Sequence, residues 1–148
     1  MSKYEPLTKA DVIEAQNAWA KNVTEQNAEA LLELYDFGTP EAPLLFKPTL
    51  TNVIRHDREG ALSYFVGGNP TYTHDHGFLH NAWKEVQFES AAGPLAAPGG
   101  LSYTDMGQYV FVNGAGEGTR ADYTFTYHKV AGRVLISLHH SSLTWEPA

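Results

Sequence analysis

From Trp83 to Leu143 the chain is a succession of strand-length segments separated by glycine turns, and this run constrains the fold more than any other feature. Within Trp83 to Ser90, the residues Trp83, Glu85, Gln87 and Glu89 alternate with Lys84, Val86, Phe88 and Ser90, the two-residue period of a strand with unlike faces. Tyr103 to Val112, Arg120 to Lys129 and Arg133 to Leu143 follow, with turns at Gly114-Ala115-Gly116 and Ala131-Gly132. Such short turns join antiparallel neighbours. The Gly93 to Gly100 stretch reads as a loop within the domain. The segment Gly114 to Gly118 is a hairpin turn, since a phosphate loop would have to open a helix.

The first half of the chain is helical. Thr8 with Asp11 three residues later resembles a capping box, and Leu7 stands where it can staple onto Val12. Val12, Ala15, Trp19 and Val23 form one apolar stripe, while Lys9, Glu14, Asn17 and Lys21 lie off it. Asn27 caps a short second helix carrying Leu31, Leu32 and Leu34, which ends before Gly38 and Pro40. Leu44-Leu45-Phe46 reads as a short strand ended by Pro48. Arg58 to Val66 reads as a third helix, capped by Asp57 and stopped by Gly67-Gly68.

Helices first and long strands afterwards predict an α+β fold. We expect a curved antiparallel sheet of about four long strands with N-terminal helices covering its concave face, a half-open cone enclosing a pocket. The 148 residues fit one domain, 1–148, and no internal repeat is visible. A net charge of −7 with no basic stripe argues against nucleic acid as a partner. The absence of cysteine removes disulfides, thiolate zinc sites and a thiol nucleophile. Met1 to Pro6 is polar and no stretch reaches bilayer-spanning length, so the expected localisation is cytoplasmic, away from membranes. The open convex face of such a sheet predicts a homodimer.

The last strand carries chemistry. Leu135-Ile136-Ser137-Leu138-His139-His140-Ser141-Ser142-Leu143 places two histidines and two serines on a strand. Alternation groups His139 with Ser137 and Ser141, and His140 with Leu138 and Ser142. The His140 and Ser142 pair is the favoured inward set, because Leu135 and Leu143 then share the other face with Ser137; His139 with Ser141 is the alternative. Histidine titrates near neutrality, so whichever faces the pocket is the natural proton acceptor or shuttle. Thr73 to His80 is the rival site. Its His74, Asp75, His76 and His80 are metal-ligand types, and His74 and His76 would hold a zinc or manganese ion if one were required. Phe46, Phe65, Tyr109, Phe125 and Leu138 are candidates for an apolar pocket wall, Arg120 for an anion guide, and Asp105 or Asp122 for the base of an isomerase.

Several segments together resemble a known family. Leu44-Leu45-Phe46-Lys47-Pro48-Thr49, Ala61-Leu62-Ser63-Tyr64-Phe65-Val66-Gly67-Gly68, Asp75-His76-Gly77-Phe78, Met106-Gly107-Gln108-Tyr109, Tyr123-Thr124-Phe125 and Leu138-His139-His140-Ser141-Ser142 resemble the iota class of carbonic anhydrases over about residues 8 to 145. These domains look like the association domain of calcium/calmodulin-dependent kinase II and share the cone fold of nuclear transport factor two. The resemblance implies a lyase that reversibly hydrates carbon dioxide to bicarbonate. It implies Thr49, Tyr64 and either Ser142 or Ser141 as catalytic hydroxyls, with no cofactor; some members are described as needing manganese or zinc. The segment between Thr49 and Tyr64 is slightly shorter than in many relatives, which bears on loop geometry there. Because this fold hosts many activities, a non-catalytic oligomerisation or small-ligand module and an isomerase or dehydratase stand beside the hydratase.

Overall fold

The computed structural model describes residues 3–148; Met1 and Ser2 of the polar N-terminal segment lie outside the described residues. Strand β1 (Tyr4–Glu5) precedes helix α1 (Lys9–Thr24). The Thr8 hydroxyl accepts from the Asp11 N–H at 3.2 Å and the Asp11 carboxylate accepts from the Thr8 N–H at 2.8 Å, which satisfies two otherwise orphaned donors. Helix α2 (Ala28–Leu32) is capped by Asn27 as expected, but Leu34 falls beyond its end. A small hairpin of β2 (Gly38–Thr39) and β3 (Ala42–Pro43) leads into β4 (Leu45–Lys47), and α3 (Arg58–Val66) begins at Asp57.

A short 3-10 turn, Phe78–Asn81, then leads to β5 (Glu85–Ser90), which starts two residues later than its alternating pattern. Strand β6 (Leu95–Ala96) lies inside the Gly93 to Gly100 loop. The long strands are β7 (Ser102–Val112), β8 (Gly118–Val130) and β9 (Arg133–Leu143). Sheet order is β4-β9-β8-β7-β5, with β1 on β8 and β6 on β7. The α+β class is as expected; among the described residues the main sheet has seven strands, the expected long ones joined by the short β1, β4 and β6, while β2 and β3 form a separate hairpin. The sheet is mixed, because β4 runs parallel to β9. Three residues ended by a proline carry no signal of strand direction.

Odd-numbered residues of β7 and β8 face the helices: Tyr109, Phe111, Ala121, Tyr123, Phe125 and Tyr127 are all buried. Trp19 lies over this surface, its ring 5.7 Å from that of Tyr109 and 6.0 Å from that of Phe125. On β9 the alternation breaks. Thr126 pairs with Leu138 but Tyr127 pairs with Ile136, leaving Ser137 as an extra bulged residue. The inward set therefore switches from Ile136 to His139 and Ser141.

Candidate active site

The bulge decides the orientation of the His-His-Ser-Ser segment. His139 and Ser141 are buried on the concave side, whereas His140 is exposed and Ser142 lies half-buried on the outer face, opposite Asp122. The favoured His140 and Ser142 pairing is thus overturned. It rested on unbroken alternation along β9, and one inserted residue reverses the faces on either side of it. Leu138 also belongs outside: it sits between Leu45 of β4 and Thr126 of β8 and forms no pocket wall.

The parallel β4 delivers the next hydroxyl. Lys47 donates to the carbonyls of Pro48 at 2.9 Å and Ser141 at 2.8 Å, clamping the end of β4 to β9, and Thr49 then meets Ser141, Oγ1 to Oγ, at 2.6 Å. Ser141 accepts from the Tyr109 hydroxyl at 2.5 Å. Tyr109 lies 3.0 Å from His139 Nε2, and His139 Nδ1 lies 2.9 Å from the Tyr35 hydroxyl, which accepts from the Trp19 indole N–H at 3.0 Å. Tyr64, on α3, accepts from the Leu50 N–H at 3.2 Å and also interacts with Thr49. Thr49, Tyr64, Ser141 and His139 are thereby brought together, and Tyr35 and Trp19 extend the set.

None of these groups is a base at neutral pH. Burial pushes the Tyr64 and Tyr109 hydroxyls well above the ordinary tyrosine range, outweighing the opposite pull of the Leu50 N–H on Tyr64 and of the Ser141 hydroxyl beside Tyr109. Burial likewise holds His139 well below the ordinary histidine value, with His140 adding a smaller push. Its ring is sandwiched between Phe125 at 3.9 Å and Phe46 at 4.9 Å. Phe46, Phe125 and Phe65 thus pack the imidazole and its neighbours inside the core, and Tyr109 is a link in the hydroxyl chain.

Neutral His139 has a measurable consequence. Unfolding frees it to take up a proton at its ordinary pKa of about 6.5, so stability that is full above that pH is lost as pH falls towards the lower folded value. Thermal melts should show a loss of about 1.4 kcal/mol per pH unit below pH about 6.5. A folded His139→Gln variant should lack this contribution.

The chain ends at a pocket of about 60 Å³ lined by Leu50, Tyr64, His74, Asp75, His76, Gly77, Phe78 and Asn81. The rival histidine segment is therefore part of the site, though in another capacity. Asp75 is gripped by Arg55 through two bonds of 2.7 and 2.8 Å and by the Ser63 hydroxyl at 2.6 Å. It is committed to an ion pair, and no group of three or more His, Asp or Glu able to hold a metal occurs among the described residues. Arg55 is buried and stacks on Tyr72 at 4.1 Å. The Asp75-His76-Gly77-Phe78 motif signalled this region, but its arginine partner twenty residues upstream carried no sequence cue.

The remaining candidates stand elsewhere. Arg120 is exposed and paired with Glu89 at 2.6 Å, so it guides no anion into the pocket. Asp105 is buried but held by Gln16, Ser90 and Tyr123, and Asp122 bonds Gln108 and Thr144; neither is bonded to Tyr64 as an isomerase base would be.

Fold and site define a cone-shaped α+β protein whose interior chemistry belongs to neutral hydroxyls and one neutral imidazole. A family profile described as metal-independent carbonic anhydrase matches residues 10–143. A metal-independent carbonic anhydrase of Nostoc sp. (strain PCC 7120 / SAG 25.82 / UTEX 2576) is 33% identical over 161 residues, covering 95% of this chain and 75% of the relative. The crystal structure of a cyanobacterial iota-carbonic anhydrase complexed with bicarbonate superposes with a TM-score of 0.83 at 29% identity, over 99% of this chain and 97% of the other. That of a putative calcium/calmodulin-dependent protein kinase II association domain from Xanthomonas campestris superposes at 0.66, with 25% identity and 99% of both chains covered. Nuclear transport factor two-like proteins of lower identity share the fold alone. The chain belongs to the metal-independent carbonic anhydrase family.

Proposed function

We propose that this protein catalyses the reversible hydration of carbon dioxide to bicarbonate, without a metal, in the pocket beside Tyr64. The observation that carries the reading is a run of neutral hydroxyls, Tyr109 to Ser141 to Thr49, that meets Tyr64 beside a pocket of about 60 Å³. Beside Tyr64 there is room for a three- or four-heavy-atom substrate, and the adjoining cleft of about 490 Å³, which shares Leu50, His74 and Asp75, is lined by no member of the hydroxyl set. In hydration a water oxygen bonds to the carbon, one of the water's O–H bonds breaks, and negative charge grows on the carbon dioxide oxygens. Tyr64, supported by Thr49 and Ser141, supplies hydroxyl donors where that charge develops. The metal-independent family and the engagement of Asp75 by Arg55 both support a scheme with no cofactor.

The released proton needs a carrier at the mouth. His139 is sealed in the core and His140 faces outward, whereas His74 and His76 line the pocket and are exposed. We assign the shuttle to these two. Replacing both with alanine should slow turnover about tenfold in weak buffer, with recovery on adding imidazole.

The test of the function is oxygen-isotope exchange between carbon dioxide and water, before and after chelator treatment with metal content measured. Catalysed exchange at the same rate in both samples is the expected result. Loss on chelation with recovery by zinc or manganese would overturn the metal-free reading. No exchange by folded protein would leave a binding or oligomerisation module.

We also propose a homodimer formed through the outer sheet face. A row in register across five strands, Leu45, Leu138, Thr126, Thr104 and Leu95, is apolar at both ends, and Met106 lies beside it at 61% exposure. Burying such side chains supports association. Light scattering reports the mass directly.

A further inference from the structure

The hydroxyl chain has a direction, and its inner end sets it. The indole N–H of Trp19 can only donate, so the Tyr35 oxygen receives that bond and must place its own hydrogen elsewhere. Among the described residues the Tyr35 hydroxyl has one other hydrogen-bond partner, His139 Nδ1. Nδ1 is thereby the acceptor, and the single hydrogen of the neutral ring sits on Nε2, aimed at Tyr109. Tyr109 donates to Ser141, and Ser141, whose other hydroxyl partner among the described residues is Thr49, must place its own hydrogen on Thr49. Thr49 in turn meets Tyr64, which also accepts from the Leu50 N–H, so the hydrogen left over at the end of the chain is the one Tyr64 offers to the pocket.

Trp19, Tyr35, Tyr109, His139 and Ser141 are each at most 3% exposed, so no solvent molecule can substitute for a missing partner and tolerate the reverse arrangement. We propose that Trp19 and Tyr35 are positioning residues which hold His139 as its Nε2–H tautomer and so point every hydrogen of the chain towards the pocket. This polarity serves the hydration proposed above. Outward hydrogens stabilise the oxygens of a forming bicarbonate, whereas a proton entering at Thr49 would require every link to reverse. The chain therefore acts as a line of donors and not as a proton sink, and the proton leaves by the pocket mouth.

The inference rests on the carbonic anhydrase reading for its kinetic effect but not for its spectroscopic one. In ¹⁵N–¹H correlation spectra of the whole protein, His139 should show a pyrrole-like Nε2 and a pyridine-like Nδ1. Trp19→Phe frees the Tyr35 hydroxyl to accept as well as donate, so the two His139 nitrogens should shift towards averaged values. The exchange kcat should fall about tenfold, with KM little changed, because the lost alignment matters most where charge develops.

A wild-type His139 protonated on Nδ1, or an even mixture of tautomers, overturns the proposal whether or not Trp19→Phe folds. A folded Trp19→Phe with unaltered tautomer and kcat overturns it too. The Nε2–H tautomer in a protein without exchange activity would support the polarity and defeat the hydratase reading. The reverse tautomer in an active enzyme would do the opposite.

Discussion

Tyr64→Phe should lower kcat/KM for oxygen exchange about 10²–10³-fold with the fold retained, the loss typical when one donor to a developing oxyanion is removed. Tyr64 is the member of the hydroxyl set that lines the pocket, and its oxygen already accepts from the Leu50 N–H, so its hydrogen is the one offered there. Ser141→Ala should cost about 10²-fold, because Ser141 is the link between Tyr109 and Thr49, at 2.5 and 2.6 Å. It should also lower stability by about 1–3 kcal/mol, since a buried tyrosine hydroxyl loses its acceptor. Ser142→Ala, on the outer face, should change activity less than about twofold, as surface substitutions away from a site do. Steady-state exchange on the three variants, with circular dichroism to verify folding, decides the matter. An inactive Ser142→Ala beside an active Ser141→Ala would mean that β9 faces the other way.

The second large effect falls on stability. Arg55→Met should destabilise the protein by about 3–5 kcal/mol, because it strands the Asp75 carboxylate without its cation. Arg55 is 1% exposed, and besides Asp75 it donates to the carbonyls of Gly60 at 2.9 Å and Val53 at 3.2 Å, joining α3, the Thr49 to Ile54 loop and the histidine segment. Burial alone would raise the Asp75 pKa, but the bonds from Arg55 and Ser63 outweigh it and hold the carboxyl below its ordinary value. The sign follows. The folded pKa lies below the unfolded one of about 3.9, so the pair stabilises fully above that pH, and its contribution is lost as pH falls through the folded value. Urea denaturation of wild type and variant should show a gap that is widest near neutrality and narrows as pH falls, beginning above pH about 4 because the stranded carboxyl of the variant takes up a proton more readily than a free one. A loss under about 1 kcal/mol at pH 7 would show that the pair is as dispensable as a surface salt bridge.

Much of the fold was legible because it rests on local rules. The Thr8 and Asp11 capping box, the Asn27 and Asp57 caps, the Trp19 stripe and the hairpin turns each depend on residues within one or two turns of each other, and all occur where their pattern placed them. The site was legible in a different way. Thr49, Tyr64 and the two serine and histidine alternatives were visible through motifs that resemble one family, yet the choice of Ser141 and His139 was not. That choice turns on Ser137, an ordinary serine in a strand of ordinary pattern, and a bulge arises from pairing with β8 that leaves no mark on β9 alone. Arg55 escaped notice for a related reason. An arginine in a loop is most often solvated, and only closure of the Thr71 to Phe78 segment over it makes it a buried ion-pair partner.

Residue order by itself determined the three helices and the long strands, the aromatic core beneath α1 and the hydroxyl residue types available for chemistry, because propensity, capping and periodicity act over a few neighbouring positions. The tertiary structure alone decided which histidine and serine look inward, that Asp75 serves an arginine, and that Trp19 is wired through Tyr35 to His139. Those are contacts between residues up to 104 positions apart, and they exist only once long-range strand pairing has brought the partners within hydrogen-bonding distance.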